Sequence, residues 1–155
     1  MCIVIDPPVF ISLLKIDDAE HEKFKPVFDW VVNGSGKFVT GGSKYKNELK
    51  KMSSILVILA ELKKKGKIVS IDDGTVDFEV DVVKGIEPAK NFDDPHLVAL
   101  IRLTNCKLVC TRDIRALPYL RSGKFYSSLS QRPKIYTRKK NTGLLCSKNI
   151  AKCCR

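Results

Sequence analysis

Three short apolar runs constrain this chain most. Cys2-Ile-Val-Ile, Lys67-Ile-Val-Ser-Ile and Lys107-Leu-Val-Cys are too brief for helices, rich in β-branched residues and bounded by charged or turn residues. A run that stays apolar through both alternating faces suits a strand covered on both sides, as in a parallel sheet. Lys37-Phe-Val-Thr, between Asn33-Gly-Ser-Gly and Gly41-Gly42, predicts another strand. Helical patterns separate these runs. Phe10, Leu13 and Leu14 share a helix face, as do Phe24, Val27, Phe28 and Val31 in an amphipathic stretch over 19–32 that Pro26 interrupts. One long helix is expected over 43–65. Leu49, Met52, Ile55, Leu56, Leu59 and Leu62 recur there at steps of three and four, and Lys63-Lys64-Lys65-Gly66 supplies a basic last turn and a terminal glycine. Residues 72–92 fit either period, with helix preferred. Asp94-Pro95 marks the start of a helix carrying Leu97, Val98, Leu100, Ile101 and Leu103. Strands alternating with helices argue an α/β fold with a mostly parallel sheet.

A chain of 155 residues is one domain's worth and buries enough surface to fold without a metal or disulfide staple. Its longest apolar run, Ile55–Ala60, is far below the roughly 20 residues of a membrane helix. The start, interrupted by Asp6, Pro7 and Pro8, lacks the basic region of a signal peptide. The expected location is therefore cytoplasmic, with no membrane partner. In that compartment the cysteines at 2, 106, 110, 146, 153 and 154 are expected as free thiols. Cys146, Cys153 and Cys154 offer three thiols to zinc but lack the C-x-x-C spacing of zinc sites.

Charge is distributed unevenly. All 17 acidic residues lie at or before Asp113, and residues 114–155 account for the whole net charge of +11. An acid-free basic end suits a polyanion. The expected division is a domain over 1–130 and a basic C-terminal arm over 131–155, extended and partly mobile. Arg112, Arg115, Lys124, Lys134, Arg138, Lys139 and Lys140 are the candidate nucleic-acid contacts. Tyr119, Tyr126 and Tyr136 interleave with these cations, either as stacking platforms for bases or as ordinary packing.

The carboxylates converge. Asp6 directly follows one apolar strand and Asp113 follows another by three residues, and ligands of open parallel sheets bind at the carboxyl ends of strands. Asp94 heads the helix that leads to the Asp113 strand. Glu48 shares a helix face with Met52, Ile55 and Leu59, where a lone carboxylate is expensive to bury. Each close pair of such charges repels by roughly 4 kcal/mol at 4 Å and an effective dielectric near 20. A divalent cation relieves that repulsion, and hard oxygen ligands select Mg²⁺ or Mn²⁺. Taken singly, the same residues read as a helix cap and turn formers.

Ile3-Val-Ile-Asp6, Asn47-Glu48-Leu49, Asp94-Pro-His-Leu-Val-Ala-Leu100 and Leu108-Val-Cys-Thr-Arg-Asp113 resemble, in order and placement, the motifs of the PIN-domain nucleases. The resemblance implies a three-layer α/β/α PIN-like fold and metal-dependent endoribonuclease activity. Its catalytic residues would be Asp6, Glu48, Asp94 and Asp113. Asp6, Asp94 and Asp113 would hold Mg²⁺ or Mn²⁺, and Thr111 would supply the family's hydroxyl. RNA is then the expected partner; an inhibitory antitoxin-like protein and a homodimer are also compatible with this family. Two departures stand out. Asp93 abuts Asp94, although the D-x-H spacing selects Asp94, and Ile114-Arg115 replaces the further acid that some members carry. His96, inside an apolar helix, reads as structural. A PIN-like module that binds RNA or protein without cleaving is the alternative reading.

Overall fold

Cys2-Ile-Val-Ile forms strand β1 (Cys2–Ile5), buried at every position. With β2 (Lys37–Gly41), β3 (Ile68–Ile71), β4 (Leu108–Cys110) and β5 (Lys134–Tyr136) it builds one sheet in the order β3-β2-β1-β4-β5. All four pairings are parallel. This computed structural model describes residues 2–149 and 151–154. The helices are α1 (Val9–Leu14), α2 (His21–Val32), α3 (Ser43–Lys50), α4 (Ser53–Lys64), α5 (Asp73–Ile86), α6 (Pro95–Thr104) and α7 (Leu117–Arg121).

From β1 the chain steps outward to β2 and β3, then crosses back to β4 on the other side of β1. Right-handed crossovers put the helices of those two legs on opposite faces. The contacts agree: α1 packs on α2 and α4, and α5 packs on α6. The protein is thus a three-layer α/β/α domain. Its core unites the strands with Phe10, Phe24, Phe38, Tyr45, Leu97 and Leu100. No helix among the described residues is long and apolar enough to cross a membrane.

Several expectations need correction. The single helix over 43–65 is two, α3 and α4, broken at Met52, whose backbone leaves the helical region (φ −105, ψ 63). An unbroken helix of that length would run about 34 Å, roughly twice the strands it must return along. The helix restarts at Ser53 with Met52 as its N-cap and no side-chain capping bond. Pro26 does not interrupt α2 but sits inside it. The carbonyl its missing N–H leaves unpaired in the helix belongs to Glu22, an exposed residue that solvent can reach. The ambiguous stretch after residue 72 is α5, capped by the Asp72 carboxylate, which accepts from the Thr75 N–H at 2.9 Å.

The largest correction concerns the basic end. Residues 134–136 are not an arm but β5, which covers the otherwise open edge of β4. Ile135 and Tyr136 are buried, and the Tyr136 hydroxyl donates to the Lys23 carbonyl at 3.1 Å. The tyrosines pack rather than form a track: Tyr126 is buried, and Tyr119 stacks on Phe92 at 4.4 Å. The cysteines are not all free. Cys2 and Cys154 form a disulfide, because the fold brings the turn Lys152–Cys154 beneath the start of β1 with a Cα–Cα separation of 5.9 Å. Cys106, Cys110, Cys146 and Cys153 remain thiols.

Candidate active site

The sheet order reverses between β1 and β4, and the crevice beyond their carboxyl ends is where such sheets bind ligands. Asp6 leaves β1 there and stays paired to β4, its N–H donating to the Cys110 carbonyl at 2.9 Å. Only 4% of Asp6 is exposed. The Thr111 hydroxyl, just past β4, donates to Asp6 Oδ2 at 2.6 Å and accepts from the Asp113 N–H at 3.0 Å. Tyr45 on α3 reaches beneath this edge and donates to the Ile5 carbonyl at 2.5 Å, which anchors the helix that carries Glu48.

Asp6, Glu48, Asp94 and Asp113 line one cleft of about 590 Å³, together with Glu20, Asp93, Arg112 and Arg115. Asp94 precedes Pro95 as expected, but its carboxylate makes no capping bond to α6 and is left to the cleft. Burial, followed by the charges of Asp94, Glu48 and Asp113, pushes the Asp6 pKa up to about 6 against the pull of the Thr111 hydrogen bond. Burial also raises Glu48 and Asp94, with Lys44 opposing the rise in both. Among the described residues neither Asp6 nor Asp94 has an ion pair, whereas Glu48 lies 3.8 Å from Lys44. The centre of the cleft is under-neutralised. Its rim is not: Arg115 donates to both oxygens of Asp113, to Oδ1 at 3.1 Å and to Oδ2 at 2.8 Å, and holds that carboxyl below its ordinary range.

His96 lies behind Glu48, 1% exposed, with its Nε2 4.0 Å from Glu48 Oε2 and, among the described residues, no hydrogen-bond partner on either ring nitrogen. Burial drives its pKa down to about 3, so it is neutral and packs edge-on against Tyr45. Lys44 was not apparent as a site residue in the sequence. It stands one turn before Glu48, a spacing that pairs opposite charges on a helix, and it also donates to the Asp93 carbonyl.

The candidate nucleic-acid contacts divide. Arg112 and Arg115 lie on the cleft, and Arg138, Lys139 and Lys140 are exposed just past the carboxyl end of β5. Lys134 opens β5, at the amino ends of the strands and away from the cleft, and donates to Asn149 Oδ1 at 2.9 Å. Lys124 is paired with Glu87 at 2.8 Å. These two do not share the cleft.

The donor set of the cleft, carboxylate oxygens with room for water, suits a hard divalent cation. No three acids among the described residues bring their oxygens within 4.8 Å of one another, so a bound ion would keep several waters, as Mg²⁺ does. The fold and the cleft define an α/β/α domain with an acidic site at the switch point of its sheet. No family model, curated protein or solved structure matches the chain.

Proposed function

We propose that this protein is a PIN-like, divalent-metal-dependent endoribonuclease that hydrolyses RNA phosphodiester bonds in the acidic cleft. The observation that carries the reading is the meeting of Asp6, Glu48, Asp94 and Asp113 in one cleft whose two central carboxylates, Asp6 and Asp94, make no ion pair among the described residues. When bound, Mg²⁺ or Mn²⁺ supplies positive charge at the phosphoryl oxygens and makes water a better nucleophile at neutral pH. Asp6 and Asp94 would hold it, with Asp113 on the rim. Thr111 favours the ionised form of Asp6 and fixes its orientation. Glu48, raised by burial, is suited to take a proton from the attacking water. Arg112 and Arg115 would bind flanking phosphates, positioning the strand without reading its bases. The exposed cations of 138–140 extend that contact.

Incubation with single-stranded and structured RNA, in Mn²⁺ and in EDTA, tests the proposal. Cleavage confined to the Mn²⁺ samples supports it. RNA bound but never cleaved in Mn²⁺ or Mg²⁺ favours the alternative, a PIN-like binding module.

A further inference from the structure

At the other end of β1 lies a second cluster. Cys2 Sγ is 3.4 Å from Cys153 Sγ, which is 3.6 Å from Cys154 Sγ. These sulfurs are the one group of three or more His, Cys, Asp or Glu ligand atoms mutually within 4.8 Å among the described residues. Cys2 and Cys154 are buried, while Cys153 is half-buried and opens the cluster to solvent. A disulfide between Cys2 and Cys154 accounts for two of the sulfurs and leaves the third against both. Around a tetrahedral cation with metal–sulfur bonds of about 2.3 Å, neighbouring sulfurs stand about 3.8 Å apart. The two unbonded edges are close to that spacing. Two of the other cysteines are engaged elsewhere. Cys106 Sγ donates to the carbonyls of Cys2 and Leu108 at 3.3 and 3.4 Å, and Cys146 Sγ accepts from Asn149 Nδ2 at 3.6 Å.

We propose that Cys2, Cys153 and Cys154 form a redox-gated thiolate site for one d¹⁰ cation of the zinc class, with water from the Cys153 side as fourth ligand. Thiolate sulfur is the donor such cations prefer. A dithiol reductant gives two electrons and two protons to the Cys2–Cys154 bond and is itself oxidised to a disulfide. The three thiols then bind the cation and release three protons. A small disulfide reverses the step by thiol–disulfide exchange: it takes two electrons from the Cys2 and Cys154 thiolates and, with two protons from water, leaves as two thiols, so the ion loses two ligands and departs. Either state ties the turn Lys152–Cys154 to β1, so the sheet keeps its anchor in both. The cluster joins Cys2, not Cys146, to Cys153 and Cys154.

The test uses the full chain, reduced with a phosphine and desalted without oxygen, then loaded with Zn²⁺ or, as a spectroscopic probe, Co²⁺. One retained equivalent of Zn²⁺ and a near-ultraviolet thiolate-to-cobalt band are expected in the wild type and in Cys146→Ser. Cys153→Ser, at a half-buried position, should weaken Zn²⁺ binding by more than about tenfold while keeping the circular dichroism of the wild type. Cys153→Ala, as a second variant, should do the same. Asp6→Asn should bind Zn²⁺ normally, since Asp6 lies about 13 Å along the strand from Cys2. Undiminished binding in both Cys153 variants would overturn the proposal, as would retention of Zn²⁺ after the Cys2–Cys154 disulfide has formed. Loss of Zn²⁺ in Asp6→Asn alone would place the ion in the acidic cleft and overturn it equally.

Discussion

The Thr111 hydroxyl and the Asp6 carboxylate, 105 positions apart in the chain, meet at 2.6 Å with both residues buried. Because Thr111 Oγ1 also accepts from the Asp113 N–H, its single proton is free for Asp6. One hydroxyl therefore joins the ends of β1 and β4 and aligns two of the cleft's acids. Thr111→Val should leave a buried carboxylate and a backbone N–H unpaired. We expect a loss of roughly 1–3 kcal/mol in urea unfolding at pH 7.5, with Thr111→Ser close to wild type. Equal stability of the Val and Ser variants would mean that the bond is not held in solution.

The sign of the Asp6 contribution is opposite to that of a salt-bridged acid. Its folded pKa, about 6, lies above the ordinary 3.8. Asp6 thus favours the fold below about pH 4 and loses that contribution as pH rises through 6. In EDTA, Asp6→Asn should match the wild type at pH 4 and exceed it at pH 7.5 by about 2–3 kcal/mol. Urea titrations at the two pH values decide this. A variant less stable than wild type at pH 7.5 contradicts the electrostatic account of the site.

Asp93 and Asp94 both line the cleft, but only Asp94 is drawn out of water and coupled to Asp6. Asp94→Asn should reduce RNA cleavage by at least about a hundredfold, close to 3 kcal/mol of barrier. Asp93→Asn should keep most activity, because Lys44 holds its backbone carbonyl rather than its carboxylate. The reverse order, in assays at one Mn²⁺ concentration, would exchange the two roles.

RNA binding should depend on salt through Arg138, Lys139 and Lys140. If all three meet phosphates of a single strand, replacing them with Gln reduces the slope of log K against log salt by about 2. Lys134→Gln should leave the slope unchanged, since Lys134 sits at the amino end of β5, away from the cleft. Point substitutions are required, because truncation after Ser130 would delete β5. A slope insensitive to the triple change would leave RNA binding to Arg112 and Arg115.

The legible parts of the molecule were those where one local pattern sufficed. Four consecutive apolar residues ending in Asp6 identify a central strand, and Asp94-Pro95 marks the start of α6 whichever way the helix faces. What was hidden depends on partners distant in sequence. Lys134-Ile-Tyr136 is too short and too basic a run to read as a strand, and it becomes one because β4 offers an open edge. The break at Met52 follows from the length of the strands that α3 and α4 must span. Asp6 and Asp113 are legible as acids at strand ends, yet the difference between Asp6, raised, and Asp113, lowered, comes from burial and from Arg115. The disulfide joins positions 152 residues apart, which cysteine spacing does not reveal.

The proposed activity is RNA cleavage by the carboxylates of the cleft acting through a divalent cation. The rate of cleavage of an end-labelled single-stranded RNA, measured against Mn²⁺ concentration for the wild type and Asp6→Asn, tests it most directly. The wild type should saturate with Mn²⁺ and stop in EDTA. Asp6→Asn should remain folded and cut at least about a hundredfold more slowly, the rate loss corresponding to close to 3 kcal/mol. Equal rates with the same Mn²⁺ dependence in both proteins would contradict the account.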